Sequence, residues 1–341
     1  MKLSIIIPNY NDAKFIPQCL DSLINQKLNS DEFEIIIVND GSTDNSLEVI
    51  QDYAKKHSEY KIKIIDKENG GVSVARNTAM QVTKGKYIYF VDSDDYIAAN
   101  TLHIALENIE KYDLDILTFD CLNTASYEHK ESRNIESINT KLKVTDGLTY
   151  IANKNYHNAV WSYIVNKGFL TNTKLEFITN LTLEDCVFTP NLFLKAQNMA
   201  HLNIDVYRYL QLNTNSVMRN NNHVNLNKNI KSHIIIMAEL NKLIDSIDGK
   251  KSTDKKAIDR FKNRQQTLLF FLISKLVKTN YPFNELKTAI SSFEELGAYP
   301  LNNFISDKYN GMRYEVLSRI FGYKTLLFPF TKIYRKLKGI S

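Results

Sequence analysis

The first 91 residues alternate short apolar, β-branched runs with stripes spaced for a helix, and that rhythm leaves few folds open. Leu3 to Ile7, Phe33 to Val38, Lys61 to Ile65 and Tyr87 to Val91 read as strands. Most are apolar along their whole length, as parallel strands buried on both faces must be. Between the first two, Ile16, Cys19, Leu20, Leu23 and Ile24 fall on one helical stripe, with Pro17 in the first turn. Ser42 or Thr43 is placed to cap a second helix, and Gly70-Gly71 precede a third over Val72 to Val82. A βαβαβαβ order predicts an α/β fold with a mostly parallel sheet and right-handed crossovers.

In such sheets ligands bind beyond the carboxyl ends of the strands. Three polar loops, beginning at Pro8, Asn39 and Asp92, leave those ends. Topology alone therefore predicts that Asp12, Asp40 and the cluster Asp92-Ser93-Asp94-Asp95 share one rim. Three carboxylates in four residues repel one another unless a cation or solvent offsets them. Hard oxygens there suit Mn²⁺ or Mg²⁺ completed by phosphate oxygens; a solvated turn with a helix cap is the plainer alternative. Asp40, at a strand end, has a carboxylate able to accept from a base imide.

Beyond residue 100 the rhythm changes. Thr101 to Tyr112 reads as a helix, Ile116 to Phe119 as a strand, and 123 to 142 as a loop or β excursion. Strands are predicted over Val160 to Val165 and Val206 to Leu210, and a helix starting at Thr182. From Asn225 the pattern is helical, with Ile230, Ile234, Met237 and Leu240 as a stripe and 248 to 256 as a linker. Residues 313 to 341 interleave seven Lys and Arg with aromatic and aliphatic groups against one acid, Glu315. That suits either an anionic membrane surface or a basic helix packed on the protein.

Four motifs in order resemble the family 2 glycosyltransferases: Ser4-Ile5-Ile6-Ile7-Pro8-Asn9-Tyr10-Asn11, Ile37-Val38-Asn39-Asp40-Gly41-Ser42-Thr43-Asp44, Gly70-Gly71-Val72-Ser73-Val74-Ala75-Arg76-Asn77, and Phe90-Val91-Asp92-Ser93-Asp94-Asp95. The likeness spans about residues 1 to 220. It implies the GT-A fold: a Rossmann-like, mostly parallel sheet flanked by helices, here with a helical C-terminal extension. Residues 1–100 would be the nucleotide-sugar half, 101–220 the acceptor half of the same domain, and 221–341 the helical region. It also implies an inverting transferase using a nucleotide-diphosphate sugar, usually a UDP-sugar, with Mn²⁺ or Mg²⁺. Pro8, Tyr10, Asp12, Asp40, Arg76, Asp92, Ser93 and Asp94 would serve the donor, with Asp92 and Asp94 at the metal.

The same resemblance puts the catalytic base in Glu184-Asp185, with Asp185 taking the acceptor proton. Without it, the pair reads as acids favoured at a helix N-terminus. Glu184 and Trp161 are expected on the acceptor side, where a Trp face can stack on a sugar; core packing competes for Trp161. Asp95 is expected to cap a following helix. Arg208 and Arg219 are candidates to close over the diphosphate.

The remaining features narrow the class. Hydrophobic residues are 43% and charged residues 24%, ordinary for a globular protein, and a net charge of +5 does not call for nucleic acid. The scattered histidines show no zinc spacing, and no GxSxG elbow or Walker A loop occurs. Cys19, Cys121 and Cys186 read as reduced thiols. The chain is expected in the cytoplasm, peripheral to the inner face of the membrane at most. The expected activity is sugar transfer to a glycan or lipid-linked acceptor in surface polysaccharide synthesis. The alternative weighed against it is an inactive nucleotide-sugar-binding module.

Overall fold

The computed structural model describes residues 1–134, 141–211, 221–301 and 311–340. Two compact units are present: Met1–Tyr150 with Lys154–Asn215, and Ile151–Asn153 with Ser216–Ser341.

The first unit carries an eight-stranded sheet. Its elements run β1 (Leu3–Asn9), α1 (Ile16–Ile24), β2 (Phe33–Asp40), α2 (Ser46–Lys56), β3 (Lys61–Lys67), α3 (Val72–Met80), β4 (Tyr87–Phe90), β5 (Tyr96–Ile97), α4 (Leu102–Lys111), β6 (Ile116–Thr124), α5 (Gly147–Asn153), β7 (Tyr163–Asn166), α6 (Lys167–Thr173), α7 (Asp185–Lys195) and β8 (Met199–Leu210). The strand order is β3-β2-β1-β4-β7-β6-β8-β5. The first four strands are parallel, with Ile5 opposite Ile35 and Tyr89. β1 and β2 are buried at every position, which explains their unbroken apolar character. β3 is the edge, and it carries exposed Lys61 and Lys63 as edges commonly do. After β1 the chain winds one way to β2 and β3, then returns past β1 to β4. The loops after β1 and β4 thus flank the point where the winding reverses, the usual ligand crevice.

Several boundaries depart from the sequence expectation. β6 and β8 are longer than predicted. They pair in parallel past a bulge at Phe119–Cys121, and that pairing keeps polar Asp120 and Asp205 in strand. Val160–Ser162 forms a 3-10 turn before β7, which lies antiparallel to β4. The helix predicted from Thr182 starts at Asp185, because Leu183 adopts φ +62, a left-handed conformation that interrupts the helix.

The second unit is helical: α8 (His223–Asp245), α9 (Ser252–Val277), α10 (Phe283–Glu295), α11 (Met312–Gly322) and α12 (Lys324–Lys338). Asn222 caps α8, its side-chain oxygen accepting from Asn225 N at 2.8 Å. α9 begins inside the predicted linker, where the Asp254 carboxylate accepts from Lys251 N at 3.2 Å. Ile230, Met237, Leu269, Ile273, Ile290 and Phe293 form the core. The basic aromatic tail is folded onto this core, with Phe321 and Leu327 buried in it. Among the described residues no helix is long and apolar enough to cross a membrane.

Candidate active site

The loops after β1 and β2 are stitched together by short polar side chains. Asn11, at φ +56, accepts on Oδ1 from Thr43 N at 2.7 Å and Asp44 N at 3.2 Å. Ser42 Oγ accepts from Asn11 N, and Ser46 Oγ from Asp12 N, each at 3.0 Å. This leaves Pro8 buried at the end of β1 and Tyr10 on the rim with 45% of its surface exposed.

Asp40 organises the neighbouring loop. Its buried carboxylate accepts from Lys67 Nζ at 2.7 Å, Gly70 N at 3.0 Å and Gly71 N at 2.7 Å. Gly71, at φ +86, lets the chain turn there into α3. A carboxylate offers about four acceptor sites, and this network takes three of them.

α3 then carries Arg76 into the centre of the site. Its Nη2 donates to Asp92 Oδ1 at 2.8 Å and its Nη1 to Glu184 Oε1. The guanidinium lies 5.4 Å from the Phe177 ring. Asn77 fixes that ring's backbone from both sides, its side chain donating to Phe177 O and accepting from Phe177 N, each at 2.9 Å. Burial works against the charge of Arg76, but Glu184, Asp92 and Asp185 outweigh it and hold the group more firmly protonated than a free arginine.

The acidic cluster divides its labour. Ser93 Oγ donates to Asp12 Oδ2 at 2.5 Å, so the loops after β1 and β4 meet as the topology predicts. Burial raises the Asp12 carboxyl; the Ser93 hydrogen bond opposes this, and the charges of Asp44 and Asp92 add to it. Asp95 does not cap a helix. It is followed by β5, and it accepts from Tyr207 Oη and Leu210 N, both at 2.7 Å, pinning the cluster to β8. Burial, then Asp94 and Asp92, push its carboxyl far up. Asp92 and Asp94 stay half-buried. Among the described residues no three His, Cys, Asp or Glu side chains converge as a metal cage. Two half-buried carboxylates, one already on Arg76, fit a hard divalent ion that draws its other ligands from phosphate and water.

Glu184 and Asp185 stand at the start of α7, behind Leu183. Glu184 is buried on Arg76. Asp185 keeps Oδ1 buried without a partner. The Cys186 thiol hydrogen-bonds to its carboxyl, and Cys186 Sγ in turn accepts from Asn158 Nδ2 at 3.2 Å. Burial first, then the charge of Glu184, push the Asp185 carboxyl up to about 6, with Arg76 opposing.

Trp161 lies in the core, 8% exposed, its ring stacked on Tyr207 at 4.2 Å and 4°. Glu184, also expected on the acceptor side, has its carboxylate on Arg76. Arg208 points from the opposite face of β8 to Tyr207. Its buried guanidinium is spent on the carbonyls of His129, Glu131 and Asp205. Arg219 lies outside the described residues. The residue that sequence reasoning undervalued is Tyr207. Its hydroxyl accepts from Asp92 N at 3.2 Å and donates to Asp95, while its ring supports Trp161. The only signal for it was its place in Tyr207-Arg208-Tyr209.

A parallel α/β core with an acidic rim at its switch point, joined through one arginine to a second acidic pair, is the arrangement of a GT-A glycosyltransferase. The model described as Glycosyl transferase family 2 matches residues 4–170, and the chain belongs to that family. It is 32% identical over 248 residues to the uncharacterized glycosyltransferase YibD of Escherichia coli, covering 70% of each chain. It is 33% identical over 224 residues to the uncharacterized glycosyltransferase EpsJ of Bacillus subtilis, covering 63% of this chain and 62% of that one. The poly(ribitol-phosphate) beta-N-acetylglucosaminyltransferase TarS of Staphylococcus aureus is 29% identical over 210 residues, 61% of this chain but 35% of that protein. Crystal structures of its residues 1–349 superpose with TM-scores of 0.67 with UDP and 0.66 with UDP-GlcNAc, at 22% and 19% identity. They cover 98% and 100% of this chain, and 92% and 93% of those.

Proposed function

We propose that the protein is an inverting glycosyltransferase that moves a sugar from a UDP-sugar to a glycan or lipid-linked glycan of a surface polysaccharide. The observation that carries this is the double engagement of Arg76, which ties the donor-side Asp92 to the Glu184-Asp185 pair in one site. The complexes of TarS with UDP and UDP-GlcNAc support the choice of donor, and its poly(ribitol-phosphate) activity supports a polymer acceptor.

In this reading residues 1–100 hold the donor, with Pro8, Tyr10, Asp12 and Ser93 around the nucleotide and Asp40 on the base. Asp92 and Asp94 hold Mn²⁺ or Mg²⁺, which when bound offsets the diphosphate charge and assists its departure. Residues 101–220 receive the acceptor, and 221–341 form the helical region. Asp185 accepts the proton of the acceptor hydroxyl as that oxygen attacks the anomeric carbon. The bond from that carbon to the diphosphate oxygen breaks with its electron pair leaving on the diphosphate. Attack opposite the leaving group inverts the centre. Arg76 supplies fixed positive charge beside the carboxylates and orients Asp92. UDP-sugars are cytoplasmic metabolites, so the reaction is placed in the cytoplasm, at the inner face of the membrane for a lipid-linked acceptor.

A screen of nucleotide sugars by thermal stabilisation, with and without Mn²⁺, tests this. One or more UDP-sugars should stabilise the protein in a metal-dependent way, and Asp94→Ala should abolish the metal dependence. If no nucleotide sugar binds, or if Asp94→Ala binds donor with unchanged metal dependence, the proposal fails.

A further inference from the structure

The tail helix α12 has two faces with different chemistry. The inward face packs Leu327 and Thr331 into the helical core. Arg335 also turns inward, donating to the carbonyls of Leu276 at 2.8 Å and Tyr281 at 2.7 Å, and Lys324 pairs with Glu294. These two cations therefore serve the fold. The outward face is different. Leu326, Ile333 and Leu337 are 49%, 59% and 80% exposed. Their spacing of seven and four residues puts them on one stripe, about 17 Å long. Lys332 and Lys336, four residues apart and exposed, run beside it, the Lys332 ammonium 5.0 Å from the Phe283 ring, and Lys338 ends the helix exposed. α12 contains no acidic residue.

We infer that this outward face of α12 docks the protein on an anionic lipid bilayer, with Leu326, Ile333 and Leu337 entering the interface and Lys332 and Lys336 on the headgroups. An exposed aliphatic ridge flanked by lysines, with no acid on the helix itself, is complementary to an apolar layer covered by negative charge. Lysine stems can lie along the apolar zone while their ammonium groups stay at the headgroups. The attachment is peripheral, since among the described residues no helix is long and apolar enough to cross. It rests on the proposed membrane-borne acceptor only for its purpose, because the surface itself is independent of the donor site.

Co-sedimentation of the full chain with phosphatidylcholine–phosphatidylglycerol vesicles tests it, with pure phosphatidylcholine vesicles and high salt as comparisons. The wild type should bind the mixed vesicles and lose most binding in pure phosphatidylcholine or high salt. Lys332→Glu with Lys336→Glu, and separately Leu326→Ser with Ile333→Ser and Leu337→Ser, should each weaken partitioning at least about tenfold. All five side chains are exposed, and unchanged melting curves of the variants confirm that the fold is kept. Absence of binding by the wild type, or equal binding by either folded variant, overturns the inference. So does light scattering that shows a concentration-dependent dimer dispersed by the serine variant, since the face would then be a self-contact. No nucleotide is present, so failure here leaves the donor-binding result standing, and failure of that result leaves this one.

Discussion

With Asp185 as the proposed base, activity and stability pull in opposite directions at that residue. Its carboxyl is pushed up to about 6 by burial and by Glu184, from an ordinary value of 3.8. Between those values the folded state holds more protons than the unfolded chain. Its contribution to stability is therefore full below about pH 4 and is lost as pH rises through about 6. Asp185→Asn should raise the melting temperature at pH 7, by a stability gain of order 1–3 kcal/mol, and the gain should shrink toward pH 4. A melting series across pH checks both the sign and the window. With Asp185 as the proposed base, the same ionisation predicts that transfer falls on the acid side with an apparent pKa near 6, read from the pH dependence of kcat/KM. Arg76 behaves differently, because Arg76→Ala leaves Asp92 and Glu184 without their counterion. It should cost about 3–5 kcal/mol in denaturant unfolding, and Arg76→Lys should not restore the two-sided contact.

At the scale of elements, the polar links between strands matter as much as the strands. Tyr207→Phe removes the hydroxyl that holds Asp92 N and Asp95 but keeps the ring under Trp161. It should destabilise the fold by about 1–3 kcal/mol and weaken metal-dependent UDP binding while donor-free metal binding stays weak, as calorimetry would show. The four parallel strands and the shared rim were legible in the sequence, because burial on both faces writes itself as continuous apolar runs. β6 and β8 were only half legible. Their polar halves are held by mutual pairing across a bulge, which no local pattern records. The start of α7 was missed by three residues, because the left-handed turn at Leu183 is made by a residue with no propensity for it. The roles of Asp95 and Trp161 depend on Tyr207, over 100 residues along the chain from Asp95, and were beyond any local pattern.

For the molecule as a whole, sheet and helices make two units, each with a core of its own. The tail belongs to the second core. Leu327→Ala should therefore cost about 2–5 kcal/mol, and loss of α11 and α12 should leave the helical unit open to limited proteolysis. The tail's composition suggested either membrane contact or packing, and its two faces allow one helix to do both. The acidic rim and the Glu184-Asp185 pair meet through Arg76, and the proposed mechanism makes proton removal and donor binding separable functions of that one site. The most direct measurement is UDP release and product formation by Asp185→Asn, at saturating UDP-sugar and Mn²⁺, beside calorimetric donor affinity. The affinity should stay within about twofold of wild type while the rate falls by 10²–10⁴, roughly what a positioned general base contributes. Transfer at the wild-type rate by Asp185→Asn would contradict the assignment of the base and the mechanism built on it.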